Sequence, residues 1–254
     1  MKISFIIPAY NEENYIGNCL HTLLIRVKES KADVEIIVVN NASTDQTKEI
    51  VSRYSGVILI NEPQKGLSRA RQSGYEASNG DLIANVDADT VLPQGWIETV
   101  LESFEKTPKL VGLSGPQVFY DVPKLVTYWA RLFYGITYVG YILNRFVFRV
   151  SSFLQGGNFV IRRTALDTIG GYNQDFKFYG EDADIAHRLH KIGPVKFTFK
   201  LPILASGRRI MVEGKFTMAY RYFMNYFWTI FTGRPYSEKS LDIRFVDGDT
   251  SEKK

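Results

Sequence analysis

Leu82-Ile83-Ala84-Asn85-Val86-Asp87-Ala88-Asp89 reads as a buried strand that stops on two carboxylates. The apolar run lacks the alternation of a half-exposed strand, so both of its faces meet core. Side chains at i and i+2 leave a strand on the same side, which sets Asp87 and Asp89 together at its end. Converged carboxylates repel unless a cation sits between them. Oxygen ligands at such a place suit Mg²⁺ or Mn²⁺, above all where a substrate diphosphate completes the shell. A solvated acidic turn is the plain alternative for a lone D-x-D, and the surrounding elements have to decide.

Those elements alternate through the first 115 residues. Ile3 to Pro8, Val34 to Val39, Val57 to Ile60 and Val111 to Gly115 are further continuous apolar strands. Asn14 to Val27 has helical spacing through Tyr15, Ile16, Cys19, Leu20, Leu23, Leu24 and Val27. Ser43 and Thr44 are expected to cap a helix running to about Tyr54. Leu67 to Ser78 reads as a helix closed by an Asn79-Gly80 turn. Pro93 is expected to open a helix with Trp96, Ile97, Val100, Leu101 and Phe104 on one face. The expected class is α/β, with a mostly parallel central sheet flanked by helices.

Composition is compatible with that class. The 254 residues are 45% hydrophobic, enough for one large domain. The net charge of +4 fits an anionic substrate, anionic lipid or ordinary solubility, and no Lys/Arg block points to nucleic acid. The single cysteine, Cys19, lies on an apolar helical face, which excludes an internal disulfide and a thiolate metal cluster. Met1-Lys2-Ile3-Ser4-Phe5 runs straight into a strand without a signal-peptide pattern.

Parallel sheets bind ligands at the carboxyl ends of their strands. Three polar loops collect there: Pro8-Ala9-Tyr10-Asn11-Glu12-Glu13, Asn40-Asn41-Ala42-Ser43-Thr44-Asp45 and Asp87-Ala88-Asp89. Together with Lys65-Gly66-Leu67-Ser68-Arg69-Ala70-Arg71, Gly156-Gly157-Asn158, Gly170-Gly171-Tyr172 and Gly180-Glu181-Asp182-Ala183-Asp184, they form an ordered series. In that series the chain resembles a family 2 glycosyltransferase of the GT-A fold, from about residue 3 to residue 195. The resemblance implies an inverting transfer from a nucleotide-diphosphate sugar, with a divalent cation on the diphosphate. It implies that Pro8, Ala9, Tyr10, Glu12, Asn41 and Arg69 surround the nucleotide. It sets Asp87, Ala88 and Asp89 at the ribose, diphosphate and metal, with Asp87 and Asp89 as metal ligands. It makes Asp182 the general base.

Elementary chemistry agrees. A metal neutralises the charge growing on a departing nucleoside diphosphate, and inversion needs a base for the acceptor hydroxyl proton. Glu181-Asp182 opens a helix with Ile185, Leu189 and Ile192 expected on its buried face, where an acidic start also serves the helix dipole. His187 and His190 on that helix read as surface residues. The family often has acids where this chain has Asn40-Asn41, and an amide both donates and accepts. Uracil, thymine and guanine therefore all stay open.

Two aromatic segments mark the second half. Residues 125 to 150 hold Tyr128, Trp129, Phe133, Tyr134, Tyr138, Tyr141, Phe146 and Phe148, with Arg131, Arg145 and Arg149 flanking the uncharged stretch Leu132 to Asn144. Residues 216 to 231 repeat the theme from Phe216 to Phe231. Aromatics with basic flanks fit helices lying in a membrane interface, and equally two core helices packed together. The uncharged stretch Leu132 to Asn144 is too short to span a bilayer. Ser206-Gly207-Arg208-Arg209 is suited to grip a phosphate of donor or lipid.

The expected organisation is one GT-A domain over 1–235. It comprises a Rossmann-like nucleotide-sugar-binding half (1–115), an acceptor half (116–235) and a polar tail (236–254). The expected acceptor is a glycan or lipid-linked glycan met at the cytoplasmic face of a membrane. A nucleotidyltransferase and a non-catalytic sugar-binding or scaffold protein stay open. A dinucleotide-binding oxidoreductase lacks its glycine fingerprint after the first strand.

Overall fold

The computed structural model describes residues 1–144, 151–176, 178–237 and 242–243. A parallel core forms first. β1 (Ile3–Ala9) pairs with β2 (Val34–Asn40) on one side and β4 (Leu82–Val86) on the other, and β3 (Val57–Asn61) extends from β2. Alternate β1 side chains serve opposite faces. Ile3, Phe5 and Ile7 pack under α1 (Ile16–Ser30) and α4 (Trp96–Lys106), where Phe5 meets Trp96. Ile6 packs with Ile37, Val39 and Ile83 under α3 (Leu67–Glu76), α6 (Arg163–Thr168) and α7 (Glu181–His190).

Beyond β4 the sheet takes three strands that sequence patterning reached only in part. β8 (Asn158–Arg162) runs antiparallel between β4 and β6 (Gly112–Ser114), and β9 (Val195–Phe197) pairs parallel with β6. The order is β3-β2-β1-β4-β8-β6-β9, so the expected mostly parallel α/β sheet is present with one reversed strand. A small second sheet, β5 (Thr90–Val91), β10 (Ile203–Ala205) and β7 (Gln117–Phe119), folds across the end of β4.

Several boundaries differ from expectation for local reasons. Tyr15 and Ile16 donate to the Glu12 carbonyl, so α1 starts at Ile16, after Asn14. Ser43 and Thr44 do not cap α2 (Thr47–Ser52): Ser43 Oγ accepts the Asn11 N–H, and the Thr44 N–H goes to Asn11 Oδ1. Asp45 Oδ1 instead accepts the Thr47 N–H at 3.0 Å. Pro93 lies a turn before α4, with its carbonyl facing the Trp96 N–H. Ile192 falls past the end of α7 and is exposed.

The aromatic segments are not a buried helix pair. α5 (Lys124–Leu143) buries Tyr134 and Tyr141 against Phe197 and leaves Leu125, Tyr128, Leu132, Ile136 and Val139 exposed. α8 (Arg208–Glu213) leads to α9 (Lys215–Thr232), which buries Asn225 and Thr229 and exposes Phe216, Tyr220, Phe223, Trp228 and Phe231. Among the described residues no helix is long and apolar enough to cross a membrane. Arg145, Phe146, Phe148 and Arg149 lie outside the described residues, as does most of the polar tail. Asp242 and Ile243 of that tail are placed. Ile243 is buried, and Asp242 pairs with Lys65 at 2.9 Å, so this part of the segment docks on the domain.

Candidate active site

The carboxyl end of β4 opens on a cleft that Pro8, Glu12, Asp87, Ala88, Asp89 and Asp182 all line. The local fold explains each position. β1 ends at Ala9, and the chain turns so that the buried Glu12 N–H meets Thr47 Oγ1 at 2.8 Å, turning its carboxylate into the cleft. Asp87 follows the last residue of β4, where its carbonyl accepts the Thr90 hydroxyl and closes the turn. Across from it stands Gly157 at φ +73°, where a Cβ would come within 2.0 Å of Asp87 Oδ2. A side chain there displaces the carboxylate, so glycine is required on both grounds.

Asp182 lies in the first turn of α7, after Gly180 at φ +84°. Asp182 Oδ1 accepts the Ala183 N–H at 2.8 Å, and Oδ2 accepts the Gly156 N–H at 3.3 Å. Burial pushes its carboxyl above the ordinary aspartate range, against the pull of those donors and Arg71. An acceptor that is basic and held by two backbone groups is suited to take a proton.

Two arginines organise the acids. Arg71 is fully buried, and its guanidinium pairs with Glu181 and lies 3.4 Å from Asp87 Oδ1. Burial works against its charge, but Glu181 and Asp87 overcome this and raise its pKa. Burial pushes Glu181 up to about 7, against the Arg71 charge. Arg208 Nη2 reaches both oxygens of Glu12, at 2.7 and 2.6 Å, and Asp89 Oδ2 at 3.2 Å. The repulsion between Asp87 and Asp89 is thus relieved by a guanidinium on each, rather than only by a cation between them. The loop carrying Arg208 is pinned by Asp121, which accepts from Ser206 Oγ and the Gly207 N–H.

The residues fit a divalent cation. Five carboxylates line the cleft against three guanidiniums, and Arg209, one of the three, is taken by Glu213. The Asp87 side chain is 35% exposed there. Among the described residues no three His, Cys, Asp or Glu side chains gather to cage a metal. One or two carboxylates with a substrate diphosphate is the usual arrangement for Mg²⁺.

The other expected nucleotide residues stand apart from this lining. Ala9 is core. Tyr10 lies under Lys65, whose Nζ is 3.7 Å from the ring centroid. Arg69 donates to Gln174. Asn41 is buried with its amide engaged: Nδ2 donates to the carbonyls of Glu62 and Gln64, and Oδ1 accepts the Gly66 N–H. It pins the β3–α3 loop. His187 and His190 are half-buried on α7 and do not line the cleft. Cys19 is buried as expected, and burial pushes its thiol up to about 12.

The burial of Arg71, the pairing of Arg208 with Glu12, and Glu181 as an arginine partner were not foreseen. Arg71 had a signal: with Ala70 and Gly74 it shares the buried face of α3, opposite Arg69. Arg208 had none toward Glu12, which lies 196 positions away.

Residues 4–170 match the model described as glycosyl transferase family 2, and residues 144–213 match one described as the N-terminal domain of galactosyltransferase. A Bacillus subtilis (strain 168) protein named probable glycosyltransferase YdaM is 30% identical over 207 residues, 76% of this chain and 47% of that protein. The glucosyl-dolichyl phosphate glucuronosyltransferase of Haloferax volcanii is 25% identical over 74% of this chain and 61% of its own length. The chain thus spans less than two thirds of either relative. Among solved structures, S. aureus TarS in complex with UDP-GlcNAc aligns with TM-score 0.64 at 18% identity, covering 94% of this chain and 68% of that one. A mannosyltransferase from Pyrobaculum calidifontis in complex with GDP-Man and Mn²⁺ aligns with TM-score 0.63 at 18% identity, covering 91% and 63%.

Proposed function

The chain belongs to glycosyl transferase family 2, and on that premise we propose that it moves a sugar, with inversion, from a nucleotide-diphosphate sugar to an acceptor hydroxyl. The observation that carries the reading is the shared cleft, which the Asp87–Asp89 pair and the Asp182 carboxylate line together. Residues 1–115 hold the donor and residues 116–235 the acceptor. The acceptor oxygen bonds to the anomeric carbon as the bond to the diphosphate oxygen breaks. Asp182 takes the hydroxyl proton, and the diphosphate leaves with the electron pair. Asp87 and Asp89 would hold a divalent cation, whose charge would offset that of the leaving group. Arg208 stands beside Asp89 and holds a second positive charge toward the diphosphate.

Pro8, Glu12 and Ala88 shape the donor end. Tyr10 under Lys65 offers a flat face with a cation for a base and its phosphates, while Ala9, Asn41 and Arg69 act through the loops that they hold. A thermal-shift panel of UDP, GDP and dTDP with Mn²⁺ tests this. One nucleotide is expected to raise Tm in Mn²⁺ and to lose the effect in EDTA. At about 100-fold Kd it adds about 2.7 kcal/mol, or roughly 5–10 °C for a domain of this size. No shift with any of them removes the nucleotide-sugar reading.

The exposed aromatic faces of α5 and α9 support an acceptor met at a membrane, on a lipid-linked or cell-envelope glycan at the cytoplasmic face. Both helices are free of acidic residues and carry Lys124, Arg131, Lys215 and Arg221. Attraction to anionic lipid adds to apolar burial at an interface. The protein is expected to sediment with anionic vesicles at low salt, and less so at high salt or with Trp228 and Phe231 both changed to Ser. Those side chains are exposed, so the double variant keeps its circular dichroism. Protein left in the supernatant at low salt favours a soluble acceptor.

A further inference from the structure

α5 shows two faces of opposite character. Its outer stripe, Leu125, Tyr128, Leu132, Ile136 and Val139, has no cover among the described residues. Its inner face carries Tyr134, which is buried and stacks on Phe197. The Tyr134 hydroxyl donates to Gln155 Oε1 at 2.9 Å and accepts the Gln117 N–H at 3.1 Å. The residue after Gln155 is Gly156, whose N–H donates to Asp182 Oδ2. One phenol therefore joins an apolar surface helix to the loop on which the proposed base rests.

α9 repeats the arrangement from the other side. Tyr222 lines the cleft, and Thr229 lies so close to Gly180 that an added Cβ would be 2.6 Å from its hydroxyl. The two helices meet near both ends. Lys215 Nζ lies 5.0 Å from the Trp129 ring centroid, and Asn144 Nδ2 donates to Tyr226 Oη at 3.2 Å.

We infer that the exposed faces of α5 and α9 dock on an anionic bilayer and that docking orders the 155–157 loop through Tyr134, making Tyr134 a positioning residue for Asp182. This rests on the membrane reading above. Charge selects the occupant. Arg221 is paired with Glu213, and the remaining formal charges on the two helices, Lys124, Arg131 and Lys215, are all cationic, so a second copy of this face would set cation against cation, whereas anionic headgroups complement it. The physics is linkage: a bilayer that binds the placed helix better than the displaced one shifts the loop with it. Tyr134 is the directional part of that link, because its side chain is buried and its hydroxyl ties the helix to the loop at Gln155 Oε1 and to β7 at the Gln117 N–H.

Hydrogen exchange of the full chain with vesicles of equal parts phosphatidylcholine and phosphatidylglycerol tests it. In the wild type, exchange is expected to slow in residues 124–143 and 215–232 and also, by about 5- to 10-fold, in residues 154–158. In Tyr134→Phe the helices still slow on vesicles, while residues 154–158 lose the response and exchange faster than wild type without lipid. Ile136→Ser keeps the phenol and is expected to weaken both responses together. Helices that slow while 154–158 stays unchanged would overturn the coupling and leave the membrane reading standing. An unaltered 154–158 response in Tyr134→Phe would overturn the role of Tyr134. No slowing anywhere removes the membrane reading, and the coupling with it.

Discussion

Asp182→Asn is expected to bind nucleotide as the wild type does and to lose turnover by about 10²- to 10⁴-fold, the scale of a lost general base. The amide keeps the shape and still accepts one of the two backbone N–H groups that now hold the carboxylate. It cannot take a proton. Of the neighbouring acids, Glu181 pairs with Arg71 through Oε1, and Asp184 is held by Arg188 Nε and Nη2 at 2.9 and 2.6 Å. Burial raises the Asp182 pKa, so the wild-type kcat falls on the acid side at a higher pH than an ordinary aspartate gives. That limb should vanish in the variant. The check is kcat over about pH 5 to 8, beside the nucleotide thermal shift. Wild-type turnover across that range would make Asp182 a helix-start residue only.

Where the fold was legible, it was because burial on both faces leaves a pattern. Ile3–Ala9, Val34–Asn40 and Leu82–Val86 are central parallel strands, and continuous apolar runs announce them. β5, β7 and β10 have two or three residues each, and their pairing partners define them more than their own composition does. β8 was hidden because a reversed strand in a parallel sheet follows from tertiary pairing. The aromatic helices were ambiguous for a different reason. Phe, Tyr and Trp serve a core and an interface equally, and only the structure separates the buried Tyr134 from the exposed Tyr128.

The cleft follows the same division. Strand ends gather Glu12, Asp87 and Asp89 at the cleft, while the resemblance to the family singled out Asp182 at its helix start. Asn41 had the right place and chemistry for a base reader, yet its amide is consumed by the Glu62, Gln64 and Gly66 backbone. Local sequence cannot say which partner wins a side-chain amide. The arginines show the converse: Arg208 meets Glu12 only because β10 folds back beside β5.

Asp89→Ala is expected to abolish transfer and metal-dependent nucleotide binding while the fold stays intact. The variant keeps its fold because Arg208 retains both Glu12 oxygens when Asp89 is removed, so no buried charge is left unpaired. The Asp89 side chain is 18% exposed and its pair with Arg208 is the longer contact. Its carbonyl, which accepts the Ser206 N–H, survives the substitution. Asp87 is a poorer choice for this test, because removing it also takes a partner from buried Arg71. With one ligand gone only Asp87 and the diphosphate would remain for a cation, too few to keep it, so transfer is expected to fall by at least the roughly 10²- to 10³-fold scale of one lost electrostatic stabiliser. Two measurements decide it: the Mn²⁺-dependent rise in Tm with nucleotide should disappear, while circular dichroism and the Tm without ligand stay near wild type. Full activity of Asp89→Ala in excess EDTA would remove the metal from the reaction and leave Arg208 to carry the diphosphate alone.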